Sequence, residues 1–318
     1  RFCSCEGRHM KINNTSLIGI GNTPLVKLNK IVPKNSAEVW VKLEGLNPTG
    51  SYKDRMAVSV LSKAMERGDV NCGDTVVEYT GGSAGTSLAF VSTVLGLTFV
   101  AVFSDAFSKS KQQAMEAFGA EVIVEKSETG DITPDLIKRM RDKAYELAKP
   151  PGTYYVDQFG SPDVRTGYKP LGGEVAKEID GNIDVFCASV GTGGALMGTY
   201  DGLIDADLNP DLIALEPLQS PLLTTGKGGP HKVEGIGVGF EPPFLDKNKL
   251  KEIRAIDQED AFKMCRLLAE KEGIFAGGST GLNVVAAIEI AKEIGPGKRV
   301  LTLNCDDGLK YLGSHIYD

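Results

Sequence analysis

The sequence predicts an α/β fold in two domains, with parallel-rich sheets covered by helices. Three observations carry this expectation. Strand-like and helix-like segments alternate along the chain, which implies parallel strands joined by crossover helices. The length of 318 residues suggests two domains at roughly 100–200 residues each. Glycine supplies 38 residues, well above the usual ~7%. Many of these stand where a strand would hand over to a helix.

Composition excludes several classes. A hydrophobic share of 42% supplies a full core and argues against disorder. The net charge is −7, with no basic stripe of the kind a nucleic-acid binder shows. Cys3, Cys5, Cys72, Cys187, Cys265 and Cys305 are too scattered for a disulfide framework, so reduced thiols are expected. Cys3, Cys5 and His9 stand close together, but a structural zinc site brings four ligands, and no metal site is predicted. Residues 1–9 precede Met10 and read as a tag or leader, set apart from the fold. No signal-peptide pattern is visible, and a cytoplasmic location is expected. Residues 79–104 carry no charge, yet their glycines, serines and threonines divide them into a buried helix and a buried strand rather than a membrane span.

The elements follow in order. A strand is predicted over 38–44 (EVWVKLE), with Trp40 in the core. A helix spans 52–67, where Met56, Val60, Leu61, Ala64 and Met65 recur at helical spacing and Gly68 stops it. Strand 75–79, helix 83–95, strand 99–103, helix 108–118 and strand 121–125 come next. Pro134 opens a helix over 134–149, and Pro150-Pro151-Gly152 marks the internal boundary. Helix 171–179, strand 183–190, helix 194–205 and strand 212–215 lead to a glycine- and proline-rich loop over 216–243. Strand 253–256, helices 258–272 and 282–294, and strand 299–304 complete the chain.

Four glycine-rich loops, 81–85, 191–195, 235–239 and 277–281, fall at strand ends or helix starts, where open α/β sheets bind ligands. The loop GTGGA at 191–195 follows a buried strand and opens a helix. Its amides can converge on one point beside a positive helix end, which makes a phosphate cradle; the competing reading is a plain tight turn. The first loop could take a carboxylate in the same way. Lys53 stands in the first turn of a helix, against the helix dipole. There a neutral amine is favoured, as Schiff-base chemistry needs. The alternative is a surface lysine pairing with Asp54. A phosphate cradle together with such a lysine fits pyridoxal phosphate.

Six ordered segments carry a family resemblance along nearly the whole chain. They are IGNTPLVKLN (20–29), NPTGSYKDR (47–55), GTGG (191–194), GIGVGF (235–240), GGSTG (277–281), and Asp306-Asp307-Gly308 with Tyr311-Leu312. Together they resemble the cysteine synthase (O-acetylserine sulfhydrylase) and cystathionine β-synthase family of fold type II pyridoxal-phosphate enzymes. The resemblance implies pyridoxal 5'-phosphate as cofactor, with Lys53 as covalent anchor and catalytic base. It implies that Gly191, Thr192, Gly193 and Gly194 hold the phosphate, that Ser279 faces the pyridine nitrogen, and that Ser83 touches the cofactor. Thr80, Gly81, Gly82, Ser83 and Ala84 would receive the substrate carboxylate, with Gln158 nearby. Residues 10–43 would pack on a large cofactor-binding domain of 153–318, with 44–152 as the small domain. A homodimer is implied, and serine acetyltransferase is a candidate partner.

The chain departs from the family at two loops. The family's substrate loop usually reads Thr-Ser-Gly-Asn-Thr-Gly. Here residues 80–85 read TGGSAG, which loses hydroxyls at Gly81 and Ala84 and replaces an asparagine with Ser83. Ala195 replaces a usual threonine in the phosphate loop. The expected activity is β-replacement on O-acetylserine, or a related β-substituted alanine, with sulfide through an α-aminoacrylate. A cysteine desulfhydrase or a cystathionine β-synthase-type reaction is the runner-up. A non-catalytic sensor or partner-binding protein on the same fold is the alternative of a different class.

Overall fold

The computed structural model describes residues 2–3, 9–10, 14–130 and 132–317. The tag or leader expected over 1–9 falls largely outside them. The chain divides into two compact units, one of residues 1–20 with 53–167, the other of 21–52 with 168–318. Phe2–Cys3 (β1) and His9–Met10 (β2) form a short antiparallel pair.

The first unit is built on a four-stranded, all-parallel sheet in the order β7-β6-β5-β8. Its strands are Thr75–Tyr79 (β5), Thr98–Ser104 (β6), Glu121–Glu125 (β7) and Thr153–Tyr155 (β8). The inner strands β5 and β6 are buried almost throughout, as sheets covered on both faces require. The unit's helices are Lys53–Arg67 (α1), Ser83–Leu95 (α2), Lys109–Ala117 (α3) and Pro134–Leu147 (α4). Thr133 caps α4 by accepting from the Leu136 amide, with Pro134 in the first turn. Leu136, Met140 and Ala144 of α4 pack on Val77, Tyr79, Val100 and Val102 of the sheet. Strand β8 was not legible in the sequence. Because it pairs with β5, the chain stays in this unit past Gly152, through residue 167.

The second unit holds a six-stranded sheet in the order β11-β10-β9-β12-β4-β3. These are Leu25–Lys27 (β3), Glu38–Leu43 (β4), Val185–Ser189 (β9), Asp211–Pro217 (β10), Leu250–Ile256 (β11) and Arg299–Asn304 (β12). All neighbours are parallel except β3, which runs antiparallel to β4 at the edge. The helices are Pro162–Glu178 (α5, which begins in the first unit), Gly194–Asp205 (α6), Leu222–Thr225 (α7), Gln258–Leu267 (α8) and Gly278–Ile294 (α9). Residues Leu268–Glu272 form a π-helical turn after α8. Along β4 the core positions are Val39 and Val41, whereas Trp40, expected in the core, is only partly buried. Its indole Nε1 donates to Glu38 Oε2 at 3.0 Å, so its polar edge faces outward.

Among the described residues no helix is long and apolar enough to cross a membrane, and no group of three His, Cys, Asp or Glu is placed to hold a metal ion. Cys187, Cys265 and Cys305 are free and buried. Cys72 departs from the reduced-thiol expectation and is disulfide-bonded.

Candidate active site

In the first unit, parallel pairing puts the carboxyl ends of β5, β6 and β8 on one edge of the sheet. There β5 leads into residues 80–85, β6 into 105–107, and β8 into Asp157 and Gln158. Thr80 is buried, and its hydroxyl accepts from the amides of Gly82 and Gly85 at 3.0 Å each. Those two donors are spent inside the loop. The amides of Ser83 and Ala84, in the first turn of α2, have no carbonyl within the helix to reach. With the Gly81 amide two residues before Ser83, they are the amides of this loop that those bonds do not use.

The glycines here answer to their neighbours. A Cβ on Gly82, whose φ is +136°, would lie 2.2 Å from Cδ of Lys111. Lys111 on α3 is itself buried and lays its methylene chain along that glycine. A Cβ on Gly81 would lie 2.9 Å from Cε1 of Phe107.

Gln158 is fastened to the same edge by a buried carboxyl. Glu78 Oε2 accepts from the Gln158 amide and Oε1 from the Tyr79 amide, each at 2.9 Å. The Gln158 side chain in turn donates to Tyr79 O at 3.0 Å. Burial pushes the Glu78 carboxyl up to about 8, outweighing the two amides that favour its charge, with Asp157 adding repulsion. Lys53 opens α1 and is partly buried, and α1 packs on α2.

In the second unit, β9 leads into residues 191–194 and α6 starts at Gly194. Gly193 caps the helix in the left-handed region, with φ +84°. The Thr192 hydroxyl accepts from Gly194 N at 3.1 Å. The amides of Ala195 and Leu196 remain as the orphan donors at the positive end of a 12-residue helix. The loop is gripped from behind. A Cβ on Gly191 would lie 2.5 Å from Gly235 O, and one on Gly193 2.9 Å from Leu245 N. Gly237 N donates to Val190 O and Phe244 N to Thr192 O, both at 3.2 Å. The loop 235–239 therefore braces the loop 191–194. His231 is partly buried and pairs through Nε2 with Gly237 O at 3.0 Å.

Ser279 is buried in the first turn of α9. It neighbours the Cys305 thiol, whose titration burial pushes up to about 12. The next residue, Thr280, accepts from the Cys305 amide at 2.9 Å. Asn283 accepts from Ser189 N at 2.7 Å and donates to Leu303 O at 2.9 Å, tying α9 to β9 and β12. Gly281 of the same motif serves packing: its Cβ would lie 2.0 Å from Ala261 O of α8.

The approach to Lys53 is anchored in this unit as well. Tyr52 N donates to Cys305 O at 3.0 Å, and Asp307 N to Gly50 O at 2.9 Å. The IGNTP segment braces the start of that approach. Thr23 Oγ1 donates to Glu44 Oε1 at 2.6 Å, and Gly21 N to Asn47 Oδ1 at 2.8 Å.

The first unit thus gathers residues 80–84 and Gln158, with α1 and its Lys53 packed on α2. The second gathers 191–194 and Ser279 around the carboxyl ends of β9 and β12. Glu78, Phe107, Lys111 and Cys305 escape a reading of the sequence. The lone acid in the strand TVVEY is a usable signal for Glu78, and the other three carry none.

Residues 17–306 match the family described as pyridoxal-phosphate dependent enzyme. A cysteine synthase of Staphylococcus aureus is 38% identical over 302 residues, covering 94% of this chain and 95% of that one. A crystal structure of O-ureido-L-serine synthase superposes with a TM-score of 0.89 at 34% identity, covering 96% of this chain and 95% of that one. A hydrogen sulfide-producing enzyme from Fusobacterium nucleatum gives a TM-score of 0.86 at 34% identity, covering 94% and 99%.

Proposed function

The chain belongs to the pyridoxal-phosphate-dependent enzyme family, and from that premise we propose that it is a cysteine synthase-like enzyme replacing the β-substituent of O-acetylserine, or a close relative, with sulfide. One observation supports this reading most. The chain carries both a partly buried lysine at the first position of a helix and a glycine cradle at the start of another, and backbone fills the side-chain space of that cradle.

The residues fit the cofactor. A phosphate needs several amides converging beside a positive helix end. Ala195 and Leu196 offer orphan donors there, and Gly191 and Gly193 admit no side chain that would cover them. Residues 191–194 hold the phosphate in this reading, and Ser279 presents a hydroxyl to the ring nitrogen. When bound, the cofactor supplies an electron sink for the charge that develops on the substrate α-carbon.

The rest is done by the chain. Lys53 Nζ would provide the covalent attachment for the cofactor and would accept the α-proton of the substrate. The amides of Gly81, Ser83 and Ala84, with the Ser83 hydroxyl, receive the substrate carboxylate at the start of α2. Thr80 contributes from within by holding the Gly82 and Gly85 amides, and Gln158 borders the same edge. A hydroxyl at Ser279, unlike a carboxylate, does not enforce a ring proton, which favours loss of a β-substituent over transamination. Serine acetyltransferase as a partner, a homodimer and a cytoplasmic location belong to the same proposal.

The test is the visible spectrum of the holoenzyme as amino acids are added, followed by product analysis. O-Acetylserine should shift the band, and adding sulfide should yield cysteine. Pyruvate without cysteine would favour elimination. Lys53→Ala should lose the borohydride-trappable link and turnover; wild-type turnover in that variant would sink the assignment.

A further inference from the structure

We propose that Phe107 is a specificity-determining residue of the amino-acid site, acting as a size-coupled pair with Gly81. The inference rests on the function proposed above and names what shapes its carboxylate loop.

The ring of Phe107 stands in the space that a side chain at position 81 would take. A Cβ built on Gly81 meets Cε1, Cζ and Cδ1 of Phe107 at 2.9, 3.2 and 3.4 Å. The ring cannot simply yield. It also packs against Phe103, with centroids 5.4 Å apart and planes tilted by 41°. Its backbone is held by the bond from Phe107 N to Ser104 O at 3.1 Å. Phe103 is almost fully buried, so it cannot retreat either. A hydroxymethyl group at 81 therefore requires this ring to move from its place.

The sequence shows the same exchange from the other side. The family it resembles usually carries serine where this chain has Gly81, and with Gly81 a hydroxyl donor is lost. The substrate loop keeps backbone donors and Ser83, and gains an apolar ring edge beside Gly81. Lys111 fills the flank of Gly82 in the same manner, so the two glycines present bare backbone because α3 and the loop before it occupy the side-chain positions. Phe107 sets how the loop grips a carboxylate: through amides against an apolar wall, with no hydroxyl from position 81.

The experiment is a small cycle in the holoenzyme: Gly81→Ser, Phe107→Ala and the double variant. Dissociation constants for L-serine, and for ethanolamine as the same amine without a carboxylate, are read from the cofactor band. Gly81→Ser alone should weaken L-serine binding about ten-fold or more, the scale of one hydrogen bond to a charged group. The double variant should regain at least that factor, because the hydroxymethyl now enters the vacated space. Ethanolamine affinity should stay level across the series. A purely structural role would move the melting temperature and both ligands together.

If Phe107→Ala does not fold, Phe107→Leu takes its place in the cycle. The proposal alone is overturned if Gly81→Ser binds L-serine like the wild type, if the two substitutions are additive, or if ethanolamine tracks L-serine. A wild-type band that responds to neither L-serine nor O-acetylserine overturns the functional reading, and this proposal with it.

Discussion

Glu78 is a fully buried carboxyl that accepts from two amides. A group whose folded pKa is raised binds its proton more tightly in the native state, so stability falls as pH rises from its ordinary value of 4.5 towards about 8. Glu78→Gln cannot ionise and escapes this dependence. Its amide nitrogen faces one of the two backbone donors, which adds a constant penalty. Urea unfolding of both proteins at several pH values should show the wild type losing ground to the variant by up to about 1.4 kcal/mol per pH unit across that window. A difference that stays constant with pH would mean that Glu78 is already charged when folded. At this scale the sequence speaks where chemistry is written in residue type, as in the roles proposed for Lys53 and Ser279. It was silent where function depends on which neighbour fills a space. Nothing about Phe107 or Lys111 in isolation says that each stands over a glycine.

The most legible elements were those whose ends carry their own signals. Helix α4 begins at its proline, with Thr133 as cap, and α6 begins in the glycine run that the sequence flagged. Helix α5 is the counterexample. It spans 162–178, yet only 171–179 was predicted, and Gly167 and Pro170 lie in the part that was missed. Glycines of this helix serve contact. A Cβ on Gly172 would fall 2.4 Å from Thr199 O of α6, and one on Gly202 2.0 Å from Lys169 O, so each helix lends the other its bare backbone. The cradle at α6 obeys the same geometry. Gly191→Ala would drive a methyl into Gly235 O, and overpacking of this kind costs about 1–3 kcal/mol. We expect cofactor affinity, measured by equilibrium dialysis, to fall about ten-fold with little change in the far-ultraviolet spectrum. Unchanged affinity would show that the loop is not the anion cradle.

For the whole molecule, the α/β class and two-part organisation follow from strand–helix alternation and length. The exact partition does not, because it depends on pairing across long sequence distances. Strand β8 joins β5 across the 73 residues between Tyr79 and Thr153, and β4 pairs with β12 in register from Glu38↔Arg299 to Leu43↔Asn304. No local pattern in a six-residue strand announces a partner so far along the chain.

That last pairing has a consequence for how the protein is made. The strands of the first unit's sheet all lie between Thr75 and Tyr155, so the sheet can close while the ribosome is still working. Strand β4 emerges earlier than any of them, but its neighbour β12 ends at Asn304. Paired until then only with the edge strand β3, it must wait for almost the entire chain to be translated. In refolding followed by pulsed hydrogen exchange, amides of β5 and β6 should be protected before those of β4 and β12; simultaneous protection would rule this order out. A strand made near the start of the chain is thus among the last to find its place, and a nascent chain must be kept from misusing it in the interval.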